Sequence, residues 1–346
     1  MSNKSPKRGR ATLEDVALAV GMSVSAVSRT FTPGASVGKQ SRTKILAAAA
    51  QLGYRPNAIA RTLSTKRSHI VALVVSYLQN QFYPTILERI SRLLQIHGFH
   101  VLLFVNEENV SHENETDDLI LNIMGYQVDG IILASSLLSS KLAKYCRDSD
   151  TPVVMFNRIS TLKGVSTVAS QNYEGGKLAA QTLLHGKAKR IGFIAGLEAS
   201  STSLEREQGF IDALKQSGKS LFAREVGHYD YEKAASATRE MFGSKKHRPD
   251  GLFVANDHMA FGVLDVLRNE LKLTVPDDVQ VIGFDNVPQA GMGGYSLSTV
   301  EQDSELMSQA AVTTLLQQIK SGNSDKPEHI RVPVRLILRK TTNNGL

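Results

Sequence analysis

Residues 12–31 read TLEDVALAVGMSVSAVSRTF, and this stretch decides the architecture of the start of the chain. Its first apolar residues have the i, i+3, i+4, i+7 spacing of one helix face: Leu13, Val16, Ala17 and Val20. Thr12 is a suitable N-cap for this helix, and Gly21 is a suitable end. Ser23 can cap a second helix directly after a tight turn. The sequence therefore predicts two short helices joined by a turn.

A third helix and a strong positive charge belong to the same segment. The apolar positions of that helix are Ile45, Leu46, Ala49 and Leu52, and it should end at Gly53. Residues 1–68 contain twelve Lys or Arg and two acidic residues, a net charge of +10, whereas the rest of the chain carries −3. A basic segment on a mildly acidic body indicates a polyanionic partner for that segment alone. Short helices and a tight turn in this setting are typical of a helix-turn-helix unit.

From residue 69 the pattern changes to short apolar runs that alternate with amphipathic stretches. Such runs are typical of parallel strands covered by helices on both faces. The predicted strands are Ile70–Val75, His100–Val105, Gly130–Ala134, Val153–Phe156, Arg190–Ala195, Gly251–Ala255 and Val279–Phe284. VDGIILA at 128–134 and PDGLFVA at 249–255 are similar, as expected of two related lobes. The body is therefore predicted to be α/β, with open parallel sheets.

Several classes of protein are disfavoured by the sequence. The single cysteine, Cys146, excludes an intramolecular disulfide framework and a Cys-only metal site, and we predict no metal and no cofactor. The polar, basic start and the absence of a long apolar run predict a cytoplasmic protein without a membrane span. The phosphate-binding glycine loops and nucleophile motifs of common enzymes are missing, so an enzyme is not predicted.

Motifs in collinear order from about residue 11 to residue 340 resemble one known family. They are Thr12-Leu13-x-Asp15-Val16-Ala17, Val27-Ser28-Arg29, Gly53-Tyr54-Arg55-Pro56-Asn57-x-x-Ala60-Arg61-x-Leu63, Asn80-Gln81-Phe82-Tyr83, Arg206-x-x-Gly209-Phe210, Ala255-Asn256-Asp257-x-Met259-Ala260-x-Gly262 and Pro276-x-Asp278-Val279-x-Val281-Ile282-Gly283-Phe284-Asp285. The chain resembles the lac repressor and purine repressor family of bacterial transcriptional regulators. The resemblance implies a small all-α helix-turn-helix head, then an α/β body of two doubly wound parallel-sheet lobes, like that of periplasmic binding proteins.

The resemblance also implies domain boundaries. Residues 1–56 are the expected DNA-binding head, 57–68 the hinge helix and linker, and 69–346 the body that binds effector and dimerises. Lobe 1 should comprise about 69–168 and 300–327. Lobe 2 should comprise about 169–297 and 328–340.

DNA-binding positions are implied in the head and in the hinge. They are Ser23, Val24, Ser25, Ser28, Arg29, Thr32, Asn57, Ala60 and Leu63. Arg29 is the expected base-reading residue, because a guanidinium can bond O6 and N7 of guanine together. The alternative for Arg29 is a phosphate contact or an ion pair with Glu14. Val24 would contact a thymine methyl or else pack in the head's own core, and Leu63 would wedge into a base step from the minor groove.

An effector site is implied between the lobes. Its positions are Ser76, Phe82, Tyr83, Arg206, Tyr229, Asn256 and Asp285. Asp285 follows a predicted strand at its carboxyl end, where open α/β sheets place ligands, and Arg206 offers a planar donor fork. These groups favour a small polar effector: a sugar, sugar acid, sugar phosphate or purine-like molecule. Alternatively, Asp285 and Arg206 pair across a lobe surface, and Phe82 and Tyr83 belong to the lobe core.

One neighbouring residue bears on the class of effector. His228 stands where relatives often carry an acid, and this change would favour an acidic or phosphorylated effector.

The predicted function is that of a sequence-specific transcriptional regulator, taken here as a repressor. A homodimer would bind a palindromic double-stranded operator, and a small-molecule effector would change operator affinity through thermodynamic coupling. The tail after Leu338 has no leucine heptad, so a dimer is expected rather than a tetramer. Induction and co-repression both stay open. The alternatives are a solute-binding protein and a transcriptional activator of the same fold.

Overall fold

The computed structural model describes residues 11–32, 35–55, 67–75, 78–105, 113–134, 138–322 and 327–343. The chain divides into two compact units, Met1–Ser68 and His69–Leu346. Within the described ranges, no helix combines the length and the apolar character needed to cross a bilayer.

The described part of the first unit is a cluster of three helices: α1 (Leu13–Val20), α2 (Val24–Thr30) and α3 (Lys39–Gln51). A capping box starts α1, since the Thr12 hydroxyl accepts from the Asp15 amide at 3.2 Å and the Asp15 carboxylate accepts from the Thr12 amide at 2.8 Å. Gly21 ends it with a left-handed φ of 67°. The Ser23 hydroxyl caps α2 by accepting from the Ala26 amide. These starts and ends agree with the sequence prediction.

The core of the head is narrower than the sequence pattern suggests. Its buried residues are Val16, Ala17, Val20, Val27, Ile45 and Ala49. Leu46 and Leu52, two of the apolar positions of the third helix, are 44% and 41% exposed. Three short helices can cover only one stripe of α3, and Ile45 and Ala49 at i, i+4 already fill it.

The described residues of the body form two six-stranded sheets. In chain order the strands are β1 (Ile70–Val75), β2 (His100–Val105), β3 (Gly130–Ala134), β4 (Val153–Phe156), β5 (Val165–Ser170), β6 (Ile191–Ala195), β7 (Ala223–Val226), β8 (Gly251–Val254), β9 (Gln280–Asp285), β10 (Ser298–Gln302), β11 (His329–Val332) and β12 (Val334–Ile337). The first sheet has the order β11-β5-β4-β3-β1-β2 and is parallel throughout. The second has the order β12-β10-β9-β8-β6-β7, with β12 antiparallel at its edge.

Helices cover both sheets. They are α4 (Phe82–Ile96), α5 (Glu113–Met124), α6 (Ser140–Asp148), α7 (Asn172–His185), α8 (Ser201–Gln216), α9 (Tyr231–Met241), α10 (Asp257–Asp265) and α11 (Ser304–Ser321), with short 3₁₀ turns at Lys245–His247 and Pro288–Gly291 and a π-helical turn at Val266–Glu270. The central strands, such as β1, β3 and β8, are buried among apolar residues because helices cover both faces of each sheet.

All seven predicted strands are present, with ends that differ by at most one residue. The crossing between the lobes differs from the prediction near the C-terminal end. We predicted residues 328–340 in lobe 2, but β11 pairs with β5 of the first sheet, and only β12 joins the second. Pro333 alone separates β11 from β12, and a proline cannot donate to a strand ladder. The chain therefore changes sheets at this residue.

Candidate functional site

The predicted DNA-binding residues of the head lie on the surface around α2. Those described and exposed are Ser23, Val24, Ser25, Ser28 and Arg29. Val24 is 43% exposed and does not belong to the head's core. Within the described ranges, the Arg29 guanidinium forms no ion pair with Glu14 or any other carboxylate. Thr32 is half-buried, and its hydroxyl donates to the Ser28 carbonyl at 3.1 Å. Asn57, Ala60 and Leu63 lie outside the described residues, as does Ser76 of the body.

A small polar cavity lies in the body where strand ends of both sheets meet. Its lining residues are Asn80, Tyr83, Asn157, Arg158, Thr202, Arg206, Tyr229, Asn256 and Asp285. Most of them follow the carboxyl ends of parallel strands: β1, β4, β7, β8 and β9. Thr202 and Arg206 are in α8, the helix that follows β6. This is the edge at which open α/β sheets bind ligands.

The structure brings together five of the predicted effector residues and excludes one. The five that line the cavity are Tyr83, Arg206, Tyr229, Asn256 and Asp285. Phe82 does not line it: this side chain is 4% exposed, lies in the apolar core, and packs edge-on against Tyr83 with ring centroids 5.5 Å apart. His228 is exposed and also does not line the cavity, so it gives no support to an acidic effector.

Arg206 and Asp285 form a buried ion pair at the centre of the site. Arg206 Nη1 lies 3.6 Å from Asp285 Oδ1, and both side chains are buried. The guanidinium also donates to the Ala255 carbonyl at 2.6 Å and to Asn172 Oδ1 at 2.8 Å. Its central carbon is 3.6 Å from the ring centroid of Phe284. The pairing expected as an alternative therefore exists, but it faces the cavity rather than an open lobe surface.

Two carboxyl groups with raised pKa values lie at this end of the second sheet. Burial raises the pKa of Asp285 to about 6, against the lowering effects of the Arg206 charge and of hydrogen bonds from Gln302 and Asn80. Burial, followed by the charge of Asp285, holds the pKa of Asp257 well above its usual range. The Thr299 hydroxyl and the Val287 amide donate to Asp257. Asp257 thus supports the loop that follows Asp285, whereas Asp285 itself reaches the cavity.

Arg158, Asn157 and Thr202 line the cavity but were not predicted. Arg158 is 3% exposed, and its Nη1 donates to Thr202 Oγ1 at 2.9 Å and to the Asn157 carbonyl at 3.2 Å. Asn157 Nδ2 donates to the Tyr83 hydroxyl at 3.3 Å. The signal for both was available, because Asn157 and Arg158 directly follow the buried strand β4, as Asp285 ends β9.

The backbone is strained at three of the lining residues. Asn157, Tyr229 and Asp285 have φ values of 57°, 59° and 121°. Non-glycine residues avoid positive φ, at a cost of about 1–3 kcal/mol each, and such residues cluster at ligand sites. All three turn their side chains into the cavity as the chain leaves a strand.

Contacts between the lobes close the cavity. They join Arg158 to Thr202, the Ile159 amide to Ser201 Oγ at 3.1 Å, Asn80 to Asp285, and Arg331 to Glu205 through bonds of 2.8 and 2.9 Å. The remaining free volume is about 10 Å³, room for about one water molecule. A ligand the size of a sugar therefore fits only after the lobes part or the lining side chains rearrange.

Close contact between α7 and α8 fixes the position of Arg206, and it gives a first prediction. A Cβ added at Gly176 would lie 2.1 Å from the Arg206 carbonyl oxygen. Gly176→Ala should lower the free energy of unfolding of the body by about 1–3 kcal/mol through overpacking. Gly294→Ala is the control, since its Cβ would meet nothing within 4 Å. Urea unfolding of both variants measures the difference, and equal stability would show that the two helices can separate without cost.

A larger groove on the first lobe is a weaker candidate. It has a volume of about 400 Å³ and lies between α5 and α6, lined by Asp117, Asp118, Leu121, Lys141, Leu142, Lys144, Tyr145 and Asp148. Its charges include an exposed Lys144–Asp148 ion pair that already satisfies both partners. The cleft cavity is the better site because its polar groups are buried and converge.

Comparisons with known proteins match both units. Residues 12–57 match the family described as bacterial regulatory proteins, lacI family, and residues 180–342 match a periplasmic binding protein-like domain. The ribose operon repressor of Bacillus subtilis (strain 168) is 34% identical over 332 residues, which cover 96% of this chain and 98% of the repressor.

Solved structures agree with this assignment. The lac repressor dimer bound to operator and the anti-inducer ONPF has a TM-score of 0.86 and 25% identity, covering 96% of this chain and 99% of that one. The transcriptional regulator CelR in complex with cellobiose has a TM-score of 0.71 and 28% identity, covering 96% and 100%. This chain therefore belongs to the lacI family of bacterial regulatory proteins and is a DNA-binding transcriptional regulator.

Proposed function

We propose that this regulator is a repressor that binds a palindromic operator as a homodimer, and that a small polyhydroxylated effector in the cleft cavity controls its operator affinity. Residues 1–56 act as the DNA-binding head, 57–68 as the hinge and 69–346 as the effector-binding and dimerising body. The protein works in the cytoplasm, where its DNA is, and has no catalytic activity. The names of the relatives support this proposal: one is a ribose operon repressor, and another was solved with cellobiose.

The class of effector is inferred from three buried polar atoms that have no hydrogen-bond partner among the described residues. Asn157 Oδ1, Arg158 Nε and Asn256 Nδ2 have no hydrogen-bond partner among the described residues, and all three residues line the cavity. An unsatisfied buried polar group costs about 1–3 kcal/mol. One acceptor and two donors converge here, and a polyol suits them because each hydroxyl both donates and accepts.

The mechanism follows from where the lining residues are attached. The effector would contact strand ends of both lobes, so it binds the open and closed arrangements with different affinity. Operator affinity then changes by the coupling factor between the two sites. Asp285 and Arg206 would affect operator affinity by binding the effector, whereas the residues around α2 would affect it by contacting DNA directly. The sign of the coupling depends on which arrangement the operator-bound dimer prefers.

Asp285→Asn tests the proposed role of the cavity. It removes a buried charged acceptor, so the dissociation constant for effector should rise about five- to hundredfold, equivalent to 1–3 kcal/mol. Operator affinity without effector is measured alongside, because Asp285 also joins the lobes through Asn80. The effector is first identified by thermal shift of the full chain with a sugar panel of D-ribose, D-ribonate, D-ribose 5-phosphate, D-glucose, D-gluconate and D-glucose 6-phosphate.

The readout is operator binding during titration of the panel member that binds. If effector induces, Asp285→Asn should stay on the operator at concentrations that release the wild type. If effector co-represses, it should fail to bind there. Asp277→Asn, at an exposed position, is the control and should behave as wild type. A folded Asp285→Asn protein that responds at the wild-type concentration would contradict the proposal.

A further inference from the structure

Arg158 is a buried cation without a counter-ion. Its side chain is 3% exposed, and among the residues that the structure describes no carboxylate pairs with it. Its hydrogen-bond partners, the Thr202 hydroxyl and the Asn157 carbonyl, are both neutral, and its Nε has none. Arg206 differs in this respect, because Asp285 lies 3.6 Å away. A buried charge without a partner is strongly unfavourable, which suggests that a ligand supplies the missing negative charge.

The N-terminus of α8 adds positive potential at the same place. Thr202 is in the first turn of this 16-residue helix, and it accepts the bond from Arg158. Ser200, the N-cap residue, makes no side-chain capping bond to the first turn. Its hydroxyl is instead 2.8 Å from that of Thr202, which is 3.2 Å from the Tyr229 hydroxyl. Unsatisfied N–H groups and the helix dipole make such an end attractive to an anion.

The charges of the residues that line the cavity also favour an anionic ligand. Its lining contains two guanidinium groups and one carboxylate, and the other lining residues are neutral. With Asp285 ionised, the lining side chains carry a net charge of +1. Protonation of Asp285 would only increase this excess. The excess lies on the Arg158 side, because the Arg206 charge is already compensated.

We infer that the effector carries an anionic group, a carboxylate or a phosphate, and that this group binds between Arg158 and the first turn of α8. The inference rests on the proposed effector function and names the chemical class of the ligand. Hydroxyl groups of the same molecule would face Asn157, Asn256 and Asp285. A sugar acid and a sugar phosphate share the required chemistry, because both can accept from a guanidinium fork.

The test is isothermal titration calorimetry of the full chain with the same sugar panel. Each neutral sugar has its acid and its phosphate as matched partners, so the series separates carboxylate from phosphate. We expect one anionic member to bind wild type about ten- to hundredfold more tightly than its neutral parent, the effect of a charge-assisted hydrogen bond. Arg158→Gln should reduce this ratio to about threefold or less, because the anionic member loses more affinity than its neutral parent when the guanidinium charge is removed.

Two further variants and a melting temperature distinguish loss of the anion contact from a general disturbance of the fold. Arg158→Lys keeps the charge but loses the planar fork, so it should retain part of the anion preference. Arg331→Gln removes an arginine that joins the lobes through Glu205 but does not line the cavity, and it should leave the ratio unchanged. Without ligand, Arg158→Gln should melt at or above the wild-type temperature, because an unpaired buried charge is removed.

Three results would overturn the inference. One is a neutral sugar that binds wild type as tightly as its acid and its phosphate, which would leave the proposed effector function intact. Another is Arg158→Gln weakening neutral and anionic members by the same factor. The third is a lack of binding by every member of the panel, which would contradict the proposed polyol effector as well.

Discussion

Arg206→Met is expected to lower the free energy of unfolding of the body by about 3–5 kcal/mol at pH 8, the usual cost of breaking a buried ion pair from one side. The substitution leaves the Asp285 carboxylate buried beside a neutral side chain. It also removes the donors to Asn172 and to the Ala255 carbonyl, and the guanidinium that covers the Phe284 ring. Urea unfolding at fixed pH measures the loss.

The loss should be smaller at pH 5. The pKa of Asp285 is about 6, above the ordinary value of 3.8, so the folded form retains a proton that the unfolded form releases between these values. Stability from this group is therefore greatest at low pH and falls as pH rises toward 6. The Arg206 charge lowers the pKa of Asp285, so Arg206→Met raises it further and the carboxyl is neutral at pH 5.

The control for this prediction is Arg335→Met. Arg335 pairs with Glu301 at the surface, where its side chain is 73% exposed, and such pairs contribute about 0–1 kcal/mol. The double variant Arg206→Met/Asp285→Asn should recover part of the stability, because it removes the uncompensated charge. A loss of the same size at pH 5 and pH 8 would show that packing against Phe284, rather than the charge of Asp285, makes Arg206 important.

One of the strands that the sequence did not predict, β5, is buried although half of its residues are polar. β5 reads VSTVAS, and all six residues are buried. The Ser166 hydroxyl is satisfied by Gln318 and by the Glu328 amide, partners more than 150 residues away. A hydrophobicity pattern cannot show that a serine will find such a partner. The apolar strands β3 and β4 needed no side-chain partner of this kind, and their predicted ends agree with the structure.

Two conditions mark a site residue in the sequence: a place in a family motif, and a place at the end of a strand. Asp285 satisfied both conditions and lines the cavity. Arg158 satisfied only the second, because it follows β4 outside any motif that we used, and it was missed. His228 was misjudged because its own φ of 55° belongs to a left-handed turn that presents it to solvent while Tyr229 faces the cavity. Adjacent residues in such a turn point in different directions, which sequence spacing alone does not show.

Arg29→Ala is expected to remove base discrimination at one position of each operator half-site. Arg29 is exposed in the last turn of α2 and, among the described residues, has no carboxylate partner that would hold it away from DNA. A bidentate contact to guanine contributes about 1–3 kcal/mol of discrimination. A dimer on a palindromic operator would lose one such contact in each half-site. Its binding free energy for the preferred operator should therefore weaken by about 2–6 kcal/mol.

The measurement is fluorescence anisotropy at fixed salt on single-base variants of an operator selected from random duplexes. Arg29→Ala should bind the preferred sequence no better than its variants at one base pair in each half-site. Lys44→Ala, at an exposed position of α3, is the comparison: if Lys44 contacts phosphate, all sequences should weaken alike and the salt dependence should become shallower. The two variants therefore separate sequence reading from general attraction to DNA. Equal weakening of every operator variant by Arg29→Ala would show that Arg29 contacts the backbone and that another residue of α2 reads the base.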